Sequence, residues 1–285
     1  MIKYRMKWNA VRSAAQSFFL AIVSFVYFVP IYWMIISSVK PANRIFSQVT
    51  FFPTRFSLEN YASLFSSVIF YVSPYFNWYV STIIMAGGYV LTAVITCALA
   101  GYAFAQFNFK GKNALFLVIL ITQMIPFHLI VIPLFLLTSK LRLIDTYVGG
   151  FLPIAVSPFG LFYMRQFMLD ISKDLLDAGR IDGLSEYALF RKIVLPLIKP
   201  GLAAMAIFFS MDYLNNLLWP LVALRRENRL PLAVGIASLI NQYKPRYGMV
   251  MAASTLATIP FLILFLLLRK QFEQGMGAMI KIVEK

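Results

Sequence analysis

Six long apolar runs limit the fold of this 285-residue chain more narrowly than any other feature of its sequence. They cover residues 14–38, 80–105, 114–138, 147–168, 201–224 and 247–268, each to within a few positions. A helix needs about 20 mostly apolar residues to cross the hydrocarbon core of a bilayer, and it satisfies its own backbone hydrogen bonds there. The runs therefore predict an all-α membrane protein with six transmembrane helices, in one transmembrane domain that comprises residues 1–285.

The composition agrees with a membrane protein. Charged residues make up 13% of the chain, whereas soluble domains carry about 25%. The formal net charge of +15 comes from basic residues that flank the apolar runs and form no single stripe, so we expect no nucleic-acid partner. The first run follows a basic stretch and is too long for a signal peptide, which indicates a retained span.

The distribution of basic residues predicts the orientation in the membrane. With six spans, both termini share one side with the loops at 106–113 and 169–200. Of the 26 Lys and Arg residues, sixteen flank that side and ten flank the other. Because cytoplasmic segments carry the excess of positive charge, we expect both termini and the 169–200 loop in the cytoplasm.

The 169–200 loop is a charged interruption in an otherwise apolar sequence. Ser172 can cap one helix, and Gly183 supplies a position where that helix can stop and the chain can turn. Ser185 can cap a second helix, which Pro196 ends or kinks. The pattern predicts a compact projection of two short helices. An ordinary solvated linker is the alternative interpretation.

One spacing in this loop resembles a family motif. Asp177, Ala178, Gly179, Gly183, Ile193, Leu195 and Pro196 match the EAA loop of ABC importer permeases. The sequence RIDGLSEYALFRKIVLPLIKPGLAA is most similar to the carbohydrate-importer branch, the maltose-permease MalG type. FSLENY, LIDTY, LWPLVAL and RLPLAVGIASL extend the resemblance over nearly the whole chain. Asp177 stands where the family usually has Glu, and Gly179 where it usually has Ala, which costs about 1 kcal/mol of helix propensity.

The resemblance implies a type I ABC importer permease fold with a cytoplasmic coupling helix that docks on an ATPase. It assigns the coupling role to Asp177, Ala178, Gly179, Asp182, Gly183, Ile193, Leu195 and Pro196. The implied partners are a second homologous permease, two ATP-binding subunits, an external solute-binding protein and a carbohydrate substrate. The implied location is the bacterial inner membrane, crossed several times. The sequence has no P-loop motif, so this chain would bind no cofactor, and ATP and Mg would bind to the ATPase.

A charge inside the fifth apolar run marks a candidate substrate path. Placing a carboxylate at the centre of a membrane helix costs about 2.5–3.5 kcal/mol, so such groups usually face the bundle interior or water. The candidate residues are Asp212, Tyr213, Asn215, Asn216 and Trp219. Their amides and carboxylate can bind sugar hydroxyls, and the indole can stack on a sugar ring. A structural hydrogen bond between helices is the alternative.

Basic residues in the loop after the fifth run form a candidate contact for the binding protein. They are Arg225, Arg226, Arg229, Lys244 and Arg246. In MalG-type relatives this loop reaches the docked binding protein. The positive charge of this loop is compatible with an acidic saccharide as substrate. A patch that complements an acidic binding protein or lipid headgroups is the alternative.

The sequence offers no candidate for covalent chemistry. With a single histidine and a single cysteine, we predict no catalytic residue and no metal site. The function that follows is the permease subunit of an ATP-driven importer for a carbohydrate, namely an oligosaccharide, which an external solute-binding protein delivers. A stand-alone transporter driven by an ion gradient is the alternative, although it would need an internal repeat and more than one buried acid.

Overall fold

The structure is a computed structural model that describes residues 2–47, 50–53, 55–66, 74–240, 246–260, 262–263 and 266. Every regular element in these ranges is helical, in agreement with the predicted all-α class. The helices are α1 (Ile2–Ser38), α2 (Glu59–Phe65), α3 (Pro74–Gln106), α4 (Lys112–Thr122), α5 (Phe127–Lys140), α6 (Tyr147–Phe151), α7 (Pro158–Leu169), α8 (Lys173–Ile181), α9 (Glu186–Leu189), α10 (Leu195–Leu197), α11 (Lys199–Leu214), α12 (Leu218–Ala223) and α13 (Leu232–Ser238), followed by α14 over residues 247–260.

The chain forms two compact units. Residues 1–73 and 236–260 make the first, and residues 74–235 make the main part of the second. In the first unit, the buried amide of Asn60 donates to the carbonyls of Ser38 (2.9 Å) and Lys40 (2.7 Å) at the end of α1. Gly248 of α14 lies directly against the same amide, where a Cβ would clash. Asn60 therefore joins the end of α1 to α2 and α14.

The second unit is built around α3, which packs against α6, α7 and α11. Small residues in α3 allow neighbouring helices to approach it closely. A Cβ on Gly101 would lie 2.7 Å from Met164 of α7, and one on Gly88 would lie 2.5 Å from the ring of Phe151. α3 therefore forms the central support of this unit.

The membrane spans differ in shape from the six continuous helices that the sequence predicts. Two helices, Ser13–Ser38 and Tyr75–Gln106, are long and apolar enough to cross a membrane. The third and fourth runs contain bent pairs, with angles of 100° between α4 and α5 and 59° at the start of α7. α11, which holds the first part of the fifth run, meets the helical segment before it at 75°. By length and composition, the described residues hold up to five spans if each bent pair counts as one. The sixth run extends past residue 260 and lies partly outside the described residues.

Proline explains the sharpest bend. Pro126 is the N-cap residue of α5 and adopts the extended ψ of 132°. The third run therefore breaks between residues 123 and 126. Proline has no N–H to donate and clashes with the preceding turn. Pro133, in contrast, lies inside α5. The third run is therefore interrupted at Pro126 and continues as a helix through Pro133.

Candidate functional site

The segment from residue 172 to 200 folds largely as its sequence predicts. α8 ends at a glycine turn, where Gly183 has φ of +81°, and α9 begins after Ser185, whose hydroxyl accepts from the N–H of Ala188 (3.3 Å). Ser172 occupies the N-cap position of α8 but makes no side-chain hydrogen bond. The sequence predicts that Pro196 ends or kinks the second helix. The helix instead continues through Pro196 and bends at Ile198.

One side of this projection is packed and the other is open. Leu176 and Leu189 are buried between α8 and α9. Gly179 permits this contact, because a Cβ there would lie 2.6 Å from a methyl of Leu189. On the outer surface, Ile181 is 86% exposed and Tyr187 is 71% exposed. Ile181, the last residue of α8, and Tyr187, near the start of α9, are thus exposed apolar side chains that sequence spacing alone did not single out; we call these two residues the apolar tip.

Two ion pairs and one hydrogen bond connect the projection to α3. Arg180 contacts Asp177 (2.6 Å) and Glu186 (2.8 Å), and the second oxygen of Glu186 accepts from the hydroxyl of Tyr102 (2.9 Å). Glu186 first, and then Asp177, hold the pKa of Arg180 above its usual value. No local sequence pattern points to the contact between Tyr102 and Glu186, because they are 84 residues apart.

The opposite end of α3 holds the loop that follows α12. The indole of Trp78 donates to the carbonyl of Glu227 (3.0 Å), and Thr82 accepts from the N–H of Leu232 (2.8 Å). Trp78 and Tyr102 are 24 residues apart, or about 36 Å along a helix. A bilayer core is about 30 Å thick. The projection and this loop therefore lie far enough apart to meet opposite membrane surfaces.

Asp145 holds two loops together at this end. Its carboxylate accepts from the backbone N–H of Arg225 (3.1 Å) and Arg226 (3.0 Å) and pairs with the Arg226 guanidinium (2.9 Å). Arg229 donates to the Asp145 carbonyl and lies over the ring of Tyr147. Asp145 has φ of +59°, in the left-handed region. We call these contacts the Asp145 clasp.

The clasp changes the charge available on the loop. Partial burial raises the pKa of Asp145, but the N–H groups of Arg226 and Arg225 and the nearby guanidinium charges outweigh it and keep that pKa below its usual value. Arg226 and Arg229 are thus engaged within the chain. Arg246 is exposed in the other unit, and Lys244 lies outside the described residues. Asp145 belongs to the LIDTY phrase, but no local sequence pattern indicates its role.

The five candidate substrate-path residues divide into two groups. Asp212 and Asn215 lie on an exposed face of α11, and the carboxylate of Asp212 accepts from the hydroxyl of Tyr89 (2.6 Å). Tyr213 and Trp219 are buried.

Hydrogen bonds to α6 fix the two buried rings. Tyr213 donates to the carbonyl of Gly150 (3.2 Å), and the indole of Trp219 donates to that of Gly149 (2.9 Å). Asn216 accepts from the backbone N–H of Trp219 (3.2 Å). Because Trp219 is fully buried, its ring offers no free face for stacking on a sugar in this conformation.

Among the residues that the structure describes, no group of three or more His, Cys, Asp or Glu side chains could hold a metal ion. The polar clusters consist instead of ion pairs and hydrogen bonds between helices and loops. Such contacts can position helices and transmit movement between them. The exposed face of α11 also offers groups that can bind hydroxyls.

Comparisons with known proteins cover nearly the whole chain. The family model described as "Binding-protein-dependent transport system inner membrane component" matches residues 94–278. The arabinooligosaccharides transport system permease protein AraQ of Bacillus subtilis (strain 168) is 36% identical, over 97% of this chain and 98% of its own length. The lactose transport system permease protein LacG of Rhizobium radiobacter is 35% identical, over 92% and 94%.

A solved structure shares the fold. It is the crystal structure of a bacterial ABC transporter involved in the import of the acidic polysaccharide alginate, and one of its chains matches with a TM-score of 0.79. The match covers 93% of this chain and 97% of that chain, at 22% sequence identity. At this identity the likeness concerns the fold alone.

Proposed function

We propose that this chain, which belongs to the family of binding-protein-dependent transport system inner membrane components, carries an oligosaccharide through the membrane as one permease subunit of an ATP-driven importer. The family and its sugar-transporting relatives make it a permease of the carbohydrate-uptake type. The observation that carries the proposal is the projection of α8 and α9, with its exposed apolar tip and the hydrogen bond that Glu186 accepts from Tyr102 of α3.

In this proposal the projection is the coupling helix. A separate ATPase, which binds ATP and Mg, receives the apolar tip in a groove, and apolar anchors of this kind carry much of the energy of an interface. When two ATPase subunits close on ATP, the groove moves the projection. The network from Arg180 through Glu186 to Tyr102 then passes that movement to α3, so that the passage faces alternate sides.

The passage itself is proposed along the exposed face of α11. An ionised Asp212 facing lipid would be costly, so this face lies against a second permease or against water. Asp212 and Asn215 supply a carboxylate and an amide to sugar hydroxyls, with Tyr89 fixing the carboxylate. Tyr213, Asn216 and Trp219 position α11 and α12 behind them.

The external binding protein is proposed to dock on the loop held by the Asp145 clasp. This places both termini and the coupling helix in the cytoplasm. Arg226 pairs with the Asp145 carboxylate, whereas Arg229 donates to the uncharged backbone carbonyl of Asp145. The carboxylate offsets only one of these two guanidinium charges, so both a neutral and an acidic oligosaccharide are compatible with the loop.

Reconstitution tests the proposal directly. Proteoliposomes that contain this chain, its partner permease and the ATPase should take up labelled arabino-oligosaccharides in the presence of the binding protein and internal ATP. Uptake should cease when ATP is replaced by a non-hydrolysable analogue, and collapse of ion gradients should leave it unchanged. Uptake by the chain alone, abolished by an ionophore, would instead establish the gradient-driven transporter.

A further inference from the structure

A cavity of about 360 Å³ opens at the turn between α3 and α4. Asn108, Phe109 and residues 111–114 line it from the turn, and Arg165 of α7 lines it from the bundle. Sites for small molecules in proteins usually measure about 300–1,000 Å³. The cavity thus has room for a phosphate-bearing headgroup, and no role described above uses it.

The lining carries two positive charges and no carboxylate. Lys112 donates one N–H to the carbonyl of Phe107 (2.8 Å), and Arg165 donates its Nε–H to that of Phe104 (3.3 Å). Neither side chain forms an ion pair with an acid within the described residues. The remaining N–H groups of the ammonium and the guanidinium are available, and charge-assisted bonds from such groups are the strong contacts to phosphate.

Aromatic packing fixes the guanidinium in place. The Arg165 guanidinium lies 4.4 Å from the ring centroid of Phe116 in α4. This cation–π contact and the bond to Phe104 hold the group at the edge of the cavity before any ligand arrives. A preformed pair of cations is therefore present between α4 and α7.

The apolar surface next to the cavity indicates the source of the phosphate. α4 starts at Lys112 in the cavity, and none of its residues is buried. Leu115 and Val118 are among its exposed apolar side chains. α4 and α5 together have the length and composition of a membrane segment. A phosphate at Lys112 would place acyl chains along α4, and basic pockets between membrane helices bind anionic headgroups.

We propose that this cavity binds the phosphate group of an anionic phospholipid, whose acyl chains lie along α4. The site is at the end of the bundle that carries the coupling helix, because Gln106 and Tyr102 of α3 contact Met168 and Glu186 there. The proposal is independent of the transported sugar.

The test uses the assembled importer in mild detergent, with three forms of this chain. The wild type is compared with Lys112→Gln, which neutralises a lining charge, and with Lys110→Gln, which removes an exposed charge from the same turn outside the cavity. Thermal stability is titrated with phosphatidylglycerol, phosphatidylcholine or inorganic phosphate. Phosphatidylglycerol should stabilise the wild type and Lys110→Gln alike, with half-saturation about fivefold weaker in Lys112→Gln.

Three results would overturn the proposal. Equal weakening in Lys110→Gln would mean general attraction to a basic surface, and equal stabilisation by phosphatidylcholine would mean no preference for an anion. Stabilisation by inorganic phosphate that abolishes the lipid effect would make the ligand a soluble anion. If Lys112→Gln fails to assemble, Asn113→Asp places a negative charge at the same lining and should weaken phosphatidylglycerol binding in the same way; unchanged binding would again contradict the proposal.

Discussion

Asp145 determines how the loop after α12 is held. One carboxylate receives two backbone N–H groups and a guanidinium, and its own carbonyl receives another guanidinium. Nothing local in the sequence reveals this, because the partners are 80 to 84 residues away. For the same reason, the hydrogen bond between Tyr102 and Glu186 could not be predicted from the sequence. Spacing arguments detect residues that share one helix or turn, and these contacts form only after distant segments have packed.

Replacing Asp145 with Ala should loosen this loop. The lost hydrogen bonds to charged and backbone groups are worth about 1–2 kcal/mol, so the apparent Tm of the purified importer should fall by a few degrees. Binding of the sugar-loaded external protein should weaken as well. Glu227→Ala, which removes an exposed acid from the same loop, is the matched control and should change neither.

The effect of Asp145→Ala should depend on pH. Because the folded pKa lies below the usual value, the stabilisation is fully present above the unfolded pKa of about 3.9 and is lost as the pH falls through the folded value. The Tm difference between the variant and the wild type should therefore be constant from about pH 5 to 7 and shrink below about pH 4. A difference that shrinks already between pH 7 and 5 would contradict the role of this carboxylate.

At the scale of elements, the short helices were more predictable than the long ones. A glycine free to adopt positive φ and a serine cap define the turn between α8 and α9, and both signals are local. The bends in the apolar runs depend on packing, since Pro126 breaks its helix and Pro133 does not. Apolar runs therefore predicted where helices form, and tertiary contacts decided where they bend.

The link between the projection of α8 and α9 and α3 can be tested by removing one hydroxyl. Tyr102→Phe deletes the bond to Glu186 and keeps the ring contact with Phe190. We expect normal assembly and ATP hydrolysis with less sugar transported per ATP, measured in proteoliposomes. Tyr163→Phe is the control, because that buried hydroxyl has no hydrogen-bond partner in the described part of the chain. Equal transport per ATP in both variants would show that α3 receives the movement by another route.

At the scale of the whole second unit, α3 connects two different surfaces. Its C-terminal end contacts the projection through Tyr102, and its N-terminal part contacts the loop after α12 through Trp78 and Thr82. A rigid helix of this length can relate events at the two membrane surfaces. Composition and hydropathy alone predicted a membrane bundle, whereas this arrangement of the two charged segments needed the contacts between distant residues.

The most direct test of the proposed coupling role of the projection measures binding of the ATPase to the apolar tip. In Ile181→Asp, a charge replaces the most exposed of the large hydrophobic side chains at that tip, while Ile181→Val keeps it apolar. The affinity of the ATPase for the purified permease pair should fall about 30-fold in Ile181→Asp, the loss expected at a ~2 kcal/mol interface anchor, and should stay near the wild-type value in Ile181→Val. Equal affinity in all three forms would contradict the assignment of this projection as the coupling helix.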